Sequence, residues 1–208
     1  MKLTSPSLNS LKMQILISDI TKVSSDELKE WFENSSPEKQ KEISAIKVEK
    51  KQIERIVSDH SKRKALADYC GVDPLGIEFA SSEKGKPFAK NVDAHFNVSH
   101  SGDYVVCAVS DKEIGIDIEK IRAINPRTAE RFANSVEIEY INSTPNGLFE
   151  IWVLKEAYFK CTGSGLGKNI KDVRFIISGN EVKCSDENYG CSFIEIADGY
   201  VCAVCEKK

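Results

Sequence analysis

The sequence predicts an α+β protein made of two similar halves, and its segment order and an internal repeat support this. Helix-like and strand-like segments do not follow a regular β-α-β alternation along the 208 residues. "YVVCAVSDK" at 104–112 returns as "YVCAVCEKK" at 200–208, and "ALADYCG" at 65–71 returns as "AYFKCTG" at 157–163. The two offsets, 96 and 92 residues, are close, which indicates a duplicated half.

The boundary between the halves is expected near Ser110 to Lys112. We therefore assign residues 1–111 to an N-terminal half and residues 112–208 to a C-terminal half. A cleft between them is expected to bind ligands.

The first half is expected to begin, after a polar leader, with a strand in "MQILISDI" at 13–20. "SSDELKEWFE" at 24–33 is a helix that Ser24 or Ser25 can cap, and residues 36–71 are long helical material that ends at Gly71. Short strands follow at 76–80, 94–100 and 104–110, with the turn-prone "EKGKPF" between the first two.

The second half opens with a strand in "IGIDIEK" at 114–120. A helix is expected within 126–141 and another at 147–163. Four further strands are expected, at 173–178, 181–185, 191–197 and 200–206.

Charge is unevenly distributed along the chain. The formal net charge of -3 argues against a general nucleic-acid binder or membrane-surface binder. Residues 39–64 nevertheless hold nine Lys and Arg against four Asp and Glu, a net +5, so a local basic surface is available for an anion. A solvated helix face is the alternative explanation for most of these lysines.

The N-terminal residues and the cysteines indicate a cytoplasmic protein. "MKLTSPSLNSLKM" lacks the apolar core of a signal peptide, and the run "ILISDI" is too short to span a bilayer. Seven scattered cysteines are expected to be free thiols. Cys202 and Cys205 have C-x-x-C spacing, but a strand would turn their sulfurs to opposite faces.

Two acids in "GIDIEK" are the first candidates for a functional site. Strand alternation sends Ile116 and Ile118 to one face and Asp117 and Glu119 to the other, about 6.6 Å apart along the strand. Like charges so placed repel, so the acids either face water or hold a cation between them. A third carboxylate nearby would favour Mg2+, which prefers hard oxygen ligands.

The helix "IWVLKEAYFKCTG" at 151–163 has two distinct faces, and one of them carries a further carboxylate, Glu156. Ile151, Leu154, Tyr158 and Cys161 recur at helical spacing and are expected to bury against the core. The remaining face carries Trp152, Lys155, Glu156, Phe159 and Lys160. Taken alone, this face favours a surface ion pair between Glu156 and Lys160, one helical turn apart and worth about 0.3 to 0.5 kcal/mol.

The combination of motifs resembles the 4'-phosphopantetheinyl transferases. "GIDIEK" and "WVLKEAYFK" are similar to that family's paired signature, G-[IV]-D-x-E and W-x-x-K-E-[AS]-x-x-K. "GKP" and "FNVSHSG" match two further blocks of its single-chain, Sfp-type branch, and "SPEKQKE" resembles its N-terminal block. The resemblance implies two α+β halves related by a pseudo-twofold axis, with the active site in the cleft between them.

The resemblance also implies roles for individual residues. Asp117, Glu119 and Glu156 correspond to Mg2+ ligands. Catalytic roles fall to Glu156, Lys160 and Lys155, of which Lys160 is placed on the transferred phosphate. Residues expected to contact coenzyme A are Lys86, Ser99, His100 and, in a pocket for the nucleotide phosphate, Lys39 and Arg55.

This phosphate pocket departs from the family pattern in two places. Glu42 stands where related enzymes often have a basic residue, and Val57, Ser58 and Asp59 replace a usual Leu-Leu-Gly. With Arg55, Lys86 and His100 on the phosphate, removal of the 3'-phosphate is expected to weaken binding more than tenfold.

The implied activity is transfer of the 4'-phosphopantetheine arm of coenzyme A to a serine of an apo acyl or peptidyl carrier protein, releasing adenosine 3',5'-bisphosphate. Mg2+ is the expected cofactor, and a cytoplasmic monomer that binds neither nucleic acid nor membrane is the expected state. The carrier could belong to fatty-acid, polyketide or nonribosomal-peptide biosynthesis. The alternatives are a non-catalytic member that binds coenzyme A or a carrier, and an unrelated Mg2+-dependent nucleotide hydrolase.

Overall fold

Ten strands and five α-helices form the part of the chain that the computed structural model describes, residues 13–167 and 169–208. The predicted polar leader lies outside these residues up to position 12. The strands are Gln14–Asp19 (β1), Phe79–Ser81 (β2), Pro87–Ala89 (β3), His95–Ser101 (β4), Tyr104–Ser110 (β5), Ile114–Lys120 (β6), Phe175–Ser178 (β7), Glu181–Cys184 (β8), Tyr189–Phe193 (β9) and Tyr200–Lys207 (β10). The helices are Ser25–Glu33 (α1), Pro37–Ser44 (α2), Glu49–Cys70 (α3), Ser135–Ser143 (α4) and Gly147–Thr162 (α5).

Two three-stranded antiparallel sheets share one topology. The first has the order β1-β5-β4 and the second β6-β10-β9, so the last strand of each half lies in the centre of its sheet. Each half also places a long helix, α3 or α5, before a small hairpin, β2-β3 or β7-β8. This repetition confirms the predicted α+β class with two similar halves.

The repeated sequence segments occupy equivalent places in the two halves. "YVVCAVSDK" forms β5 and "YVCAVCEKK" forms β10. The second repeated pair, "ALADYCG" and "AYFKCTG", forms the C-terminal ends of α3 and α5. At these ends Gly71 and Gly163 adopt left-handed φ angles of 69° and 64°, which glycine accommodates without strain. We retain the division at residues 111 and 112 as a proposal; it falls in the connection between β5 and β6.

The two halves meet along β4 and β6. Asn97 Oδ1 in β4 accepts a hydrogen bond from the Ile116 amide at 2.9 Å, and Ser101 Oγ accepts one from the Lys120 amide at 3.0 Å. Side chains of one half thus satisfy the backbone of the other and fix β6 beside β4.

Each long helix covers one sheet with apolar side chains. Leu66 of α3 packs with Cys107 and Val109 of β5, all fully buried. The predicted core positions of α5 are confirmed, since Ile151 and Leu154 are fully buried and Tyr158 and Cys161 nearly so. In this helix Val153, Lys155 and Phe159 are buried as well, so little of it faces solvent.

Two predicted helices are interrupted. Residues 36–71 divide into α2 and α3 at 45–48, where Val48 takes an extended backbone conformation and α3 begins. Within 126–141, a 3-10 turn at Pro126–Arg131 precedes α4, whose first turn is capped by Asn134.

One strand was not predicted from the sequence. The turn predicted at "EKGKPF" leads directly into it, and it is β3, which pairs with β2.

The expectation that all seven cysteines are free thiols is wrong. Cys191 and Cys205 form a disulfide, because they lie directly opposite each other on β9 and β10. The five other cysteines are free thiols. Among the residues that the structure describes, no helix is both long and apolar enough to cross a bilayer.

Candidate active site

A glycine allows strand β6 to lie directly against helix α5. A methyl group at Gly115 would overlap the carbonyl oxygen of Ala157 and the amide nitrogen of Cys161. Only glycine permits this approach, which brings the acids of β6 beside Glu156 and Lys160 on the helix.

Asp117 forms the buried centre of the site. Its side chain alternates with those of Ile116 and Ile118, which are buried on the opposite face of β6. Asp117 Oδ1 accepts hydrogen bonds from Ser99 Oγ at 2.7 Å and from Lys160 Nζ at 2.5 Å. Burial raises the pKa of this carboxyl, against the opposing effects of Lys160 and Ser99.

Glu119 lies two residues further along the same face of β6 and is closer to solvent. Its Oε2 accepts hydrogen bonds from Arg122 Nη1 at 2.7 Å and from Ser101 Oγ at 3.2 Å. Each acid is therefore paired with a cation and hydrogen-bonded by a serine of β4, which reduces the electrostatic repulsion between the two carboxylates.

Glu156 faces both of these acids from the helix. Burial is the largest cause that raises the pKa of its carboxyl to about 7; Asp117 and Glu119 contribute to the rise, and Lys160 partly opposes it. A carboxyl that titrates near neutral pH can accept and release a proton under physiological conditions, as a general base requires.

The three acids offer a donor set that fits a hard divalent cation. In the described part of the chain, no three acid, histidine or cysteine side chains are already arranged as a metal site. Lys160 and Arg122 instead bond to oxygens of Asp117 and Glu119. Asp117 Oδ2, however, is buried without any hydrogen-bond partner among the described residues. Such unpartnered oxygens are rare in proteins, and an all-oxygen set around one suits Mg2+.

Ser99 and His100 both lie at this site, at the end of β4. Ser99 Oγ contacts Asp117 and also lies 3.1 Å from Lys160 Nζ. His100 Nδ1 is 3.6 Å from Glu54 Oε2. The pKa of His100 is lowered, chiefly by burial, while Glu54 partly opposes this change.

Lys86 of "GKP" connects the two halves. Its ammonium donates to the carbonyl oxygens of Cys161 at 2.8 Å and Ile114 at 3.2 Å. Burial lowers its pKa. Lys86 therefore faces the end of α5 and the start of β6, although the motif predicts a contact with coenzyme A.

Lys39 and Arg55 lie on α2 and α3 near a carboxylate that faces both. Lys39 Nζ is 2.6 Å from Glu42 Oε2. The pKa of Glu42 is lowered mainly by this hydrogen bond, and Arg55 and Lys62 lower it further. The structure thus groups Lys39, Arg55 and His100, but with Glu42 and Glu54 among them.

Lys155 lies outside the site, contrary to its predicted catalytic role. It is fully buried, and its Nζ is 2.9 Å from Glu137 Oε2, also fully buried. It also donates to the carbonyl oxygens of Ile170 at 2.9 Å and Val173 at 2.5 Å. Adjacent helical residues point about 100° apart, so Lys155 faces the core while Glu156 faces the cleft.

A cleft of about 240 Å3 opens between the halves at these residues. The "GKP" loop and Asn97 line one side of it, and Glu156 and Lys160 line the other. A second cavity of about 470 Å3 shares Lys86 and Gly163 with it. The expected cleft between the halves is therefore present.

Sequence reasoning missed Arg122, Glu54 and Glu137. Arg122 follows Glu119 by three residues, a spacing that could have indicated a pair. Glu54 lies in a helix with many charged residues, so no local pattern indicated that it would pair with His100. Glu137 completes a capping box with Asn134, which indicates a helix start but not burial.

Two family models cover the described chain almost completely. The 4'-phosphopantetheinyl transferase superfamily matches residues 113–205. The family described as 4'-phosphopantetheinyl transferase, N-terminal, matches residues 22–112.

Curated relatives agree with these matches. The chain is 36% identical over 156 residues to 4'-phosphopantetheinyl transferase gsp of Aneurinibacillus migulanus, covering 69% of this chain and 64% of that protein, or just under two thirds of it. It is 31% identical over 161 residues to 4'-phosphopantetheinyl transferase ffp of Bacillus subtilis, covering 72% of each. It is 29% identical over 194 residues to 4'-phosphopantetheinyl transferase Sfp of Bacillus subtilis (strain 168), covering 88% of this chain and 87% of that protein. The chain therefore belongs to the 4'-phosphopantetheinyl transferase superfamily, in its Sfp-type branch.

Proposed function

We propose that this protein transfers the 4'-phosphopantetheine arm of coenzyme A to a serine of an apo acyl or peptidyl carrier protein. The observation that supports this most directly is the convergence of Asp117, Glu156 and Lys160 at the cleft between the halves. The names of the curated relatives agree with it.

The reaction is a displacement at phosphorus. The carrier serine oxygen forms a bond to the phosphorus that bears the pantetheine arm, and the bond from that phosphorus to the oxygen of adenosine 3',5'-bisphosphate breaks. The serine proton passes to the Glu156 carboxylate, which lies in the cleft, either directly or through a water molecule. In such displacements the protein mainly positions the reactants and neutralises charge.

Asp117, Glu119 and Glu156 are the residues that would hold Mg2+. When bound there, this ion would neutralise charge on the pyrophosphate of coenzyme A. Asp117 Oδ2 is the oxygen free to bind it, and Arg122 would have to share or release Glu119.

The Lys160 side chain contacts Asp117 and also lines the cleft. Its ammonium is partly exposed, so it can turn from Asp117 toward the oxygen of the leaving group and offset the charge that develops there. Ser99 holds Asp117 and Lys160 together, so it positions these two residues in addition to its proposed contact with coenzyme A. Lys86 is proposed to position the "GKP" loop against α5 beside the ligand.

The N-terminal half would contribute Lys39, Arg55, Ser99 and His100 toward coenzyme A, and the C-terminal half would contribute the metal-binding acids and the catalytic helix. The partner is proposed to be an apo carrier that docks on a cytoplasmic monomer.

A carrier panel tests this function. The protein is incubated with coenzyme A, Mg2+ and apo carriers from fatty-acid, polyketide and nonribosomal-peptide pathways, and the carriers are examined by intact mass. One phosphopantetheine should be added to at least one carrier, and none when the protein, coenzyme A or Mg2+ is left out. Coenzyme A binding without any mass gain across the panel would favour a non-catalytic binder.

A further inference from the structure

Two donors of different charge bind the same oxygen of Glu119. Ser101 Oγ lies 3.2 Å from Glu119 Oε2, and Arg122 Nη1 lies 2.7 Å from that atom. Among the described residues, the hydrogen bonds to the Glu119 carboxylate all go to Oε2, which leaves Oε1 for another ligand.

The serine belongs to a pair on β4 that matches the pair of acids on β6. Ser99 and Ser101 are two residues apart and share a face of β4, as Asp117 and Glu119 share a face of β6. Ser99 Oγ lies 2.7 Å from Asp117 Oδ1, while Asp117 Oδ2 has no partner among the described residues. Each acid therefore has one oxygen held by a serine and a second oxygen that the serine does not use.

Ser101 is held in place by the backbone of β6. Its Oγ accepts a hydrogen bond from the Lys120 amide at 3.0 Å, so the hydroxyl proton can be donated to Glu119. This bond carries no net charge, and a carboxylate can accept it while its other oxygen binds a cation. Loss of such a bond to a metal-binding carboxylate typically weakens metal affinity by about 10- to 100-fold.

Arg122 differs from Ser101 in its charge and its exposure. The Arg122 side chain is 53% exposed, whereas the Glu119 side chain is 21% exposed. Its guanidinium also donates to the Lys120 carbonyl oxygen at 3.1 Å and lies 5.8 Å from the centre of the Phe149 ring. Exposed ion pairs separate at little cost, so Arg122 can leave Glu119 when a divalent cation arrives.

We propose that Ser101 and Arg122 act in opposite directions on Mg2+ binding at Glu119. Ser101 positions the carboxylate for the ion, and Arg122 is an exchangeable counter-ion that competes with it. Both are positioning residues, since they act through Glu119. This inference rests on the metal site of the proposed function.

The size of the Arg122 effect follows from Coulomb's law. A unit positive charge about 6 Å from a divalent cation weakens its binding by roughly tenfold at the dielectric constant of water. Screening by salt and the freedom of the guanidinium to turn away reduce this, so the loss of Arg122 should tighten Mg2+ binding by about threefold to tenfold. The loss of the Ser101 hydroxyl should weaken Mg2+ binding by about tenfold, the lower end of the range for such bonds.

The test is calorimetric titration of Mg2+ into the protein, with and without coenzyme A. Ser101→Ala should raise the Kd for Mg2+ by about tenfold, and Ser101→Thr, which keeps the hydroxyl, should stay near the wild-type value. Arg122→Gln should lower this Kd by about threefold to tenfold, and Arg122→Lys, which keeps the charge, should change it by less than about twofold.

Two controls separate charge from structure. Arg127→Gln removes an exposed arginine five residues after Arg122 that forms no ion pair with the described residues, and it should keep the wild-type Kd. In 1 M KCl, where the Debye length is about 3 Å, the gain of Arg122→Gln should shrink while the loss of Ser101→Ala persists. Thermal midpoints in chelator show whether each variant is folded. If Ser101→Ala does not fold, the exposed Arg122 variants still decide the matter.

The outcomes separate this inference from the proposed function. Equal Kd values in Arg122→Gln and wild type, or weaker binding by Arg122→Gln, overturn the inference and leave the transfer activity intact. Opposite shifts of the two variants without transfer to any carrier support the inference and overturn the proposed function. Absence of Mg2+ binding by the wild type, alone and with coenzyme A, overturns both the inference and the proposed metal site.

Discussion

Lys160 Nζ lies 2.5 Å from Asp117 Oδ1, and this contact joins helix α5 to strand β6 across the candidate site. Ser99 Oγ touches both partners, so the N-terminal half also takes part. Glu156 stands beside the pair with a pKa raised by burial and by the neighbouring acids.

Glu156→Gln is expected to stabilise the metal-free protein at pH 8 but not at pH 4.5. The pKa of the Glu156 carboxyl rises from 4.5 to about 7 on folding, so the folded state holds this proton more tightly than the unfolded state does. Stability is therefore lost as the pH rises from about 4.5 to about 7, and glutamine avoids this loss. After allowance for partial solvent exposure, the gain at pH 8 should be about 1 to 2 kcal/mol.

Urea denaturation in the presence of a chelator measures this difference at each pH. Glu139→Gln, at an exposed position on α4, serves as the control and should show no comparable gain. Equal stability of Glu156→Gln and wild type at pH 8 would mean that the Glu156 carboxylate is not repelled by its neighbours.

Mg2+ is expected to raise the thermal midpoint of the wild type but not of Asp117→Asn. A ligand at 100 times its Kd stabilises the folded state by about 2.7 kcal/mol, and the asparagine variant lacks the charged oxygen proposed to bind the ion. Calorimetric scans with Mg2+ or chelator check this without any need for activity. An equal shift in both proteins would place the ion elsewhere.

Lys155→Met is expected to destabilise the fold strongly. The change leaves Glu137 buried without its cation, which costs about 3 to 5 kcal/mol. Glu137 also accepts hydrogen bonds from the amides of Asn134 and Phe175, so Glu137→Gln in the Lys155→Met background should recover at least about 1 kcal/mol by removing the unpaired charge. Denaturation midpoints of the single and double variants provide the comparison.

A catalytic role for Lys155 makes a different prediction. In that case Lys155→Met would lose transfer activity per folded molecule, and the Glu137→Gln change would recover stability without recovering turnover. We expect turnover to return with the fold.

Gly115→Ala is expected to disrupt the contact between β6 and α5. The added methyl group meets backbone atoms of Ala157 and Cys161, which cannot move as a flexible side chain would, so a loss of about 3 kcal/mol or failure to fold should result. Gly190→Ala in β9 is the control, because its methyl group would contact only the end of the Lys208 side chain at 3.8 Å. Yield and thermal midpoint distinguish the two variants, and a Gly115→Ala protein as stable as wild type would contradict the close packing.

Local sequence patterns predicted the elements that carry the site. Alternation placed Asp117 and Glu119 on one face of β6, and helical spacing identified Ile151, Leu154 and Tyr158 as core positions. The faint repeat between residues 104–112 and 200–208 predicted the equivalent central strands. These features depend on residues close together in sequence, so a single chain suffices to detect them.

Long-range pairing escaped prediction because nothing local encodes it. Lys155 and Glu156 are adjacent charged residues of one helix, so local patterns do not distinguish their environments. In the structure Lys155 is buried because it pairs with Glu137, which lies 18 residues earlier in the chain. Cys191 and Cys205 form a disulfide only because the strand register places them opposite each other. The pairing of His100 with Glu54 likewise depends on how α3 packs on the first sheet.

The stoichiometry of product release tests the central claim most directly. With coenzyme A, Mg2+ and an apo carrier accepted in the panel, we predict one adenosine 3',5'-bisphosphate released for each carrier that gains phosphopantetheine, and negligible release when the carrier serine is replaced by alanine. Nucleotide release that continues unchanged with the alanine carrier would contradict transfer and would identify the site as that of a hydrolase.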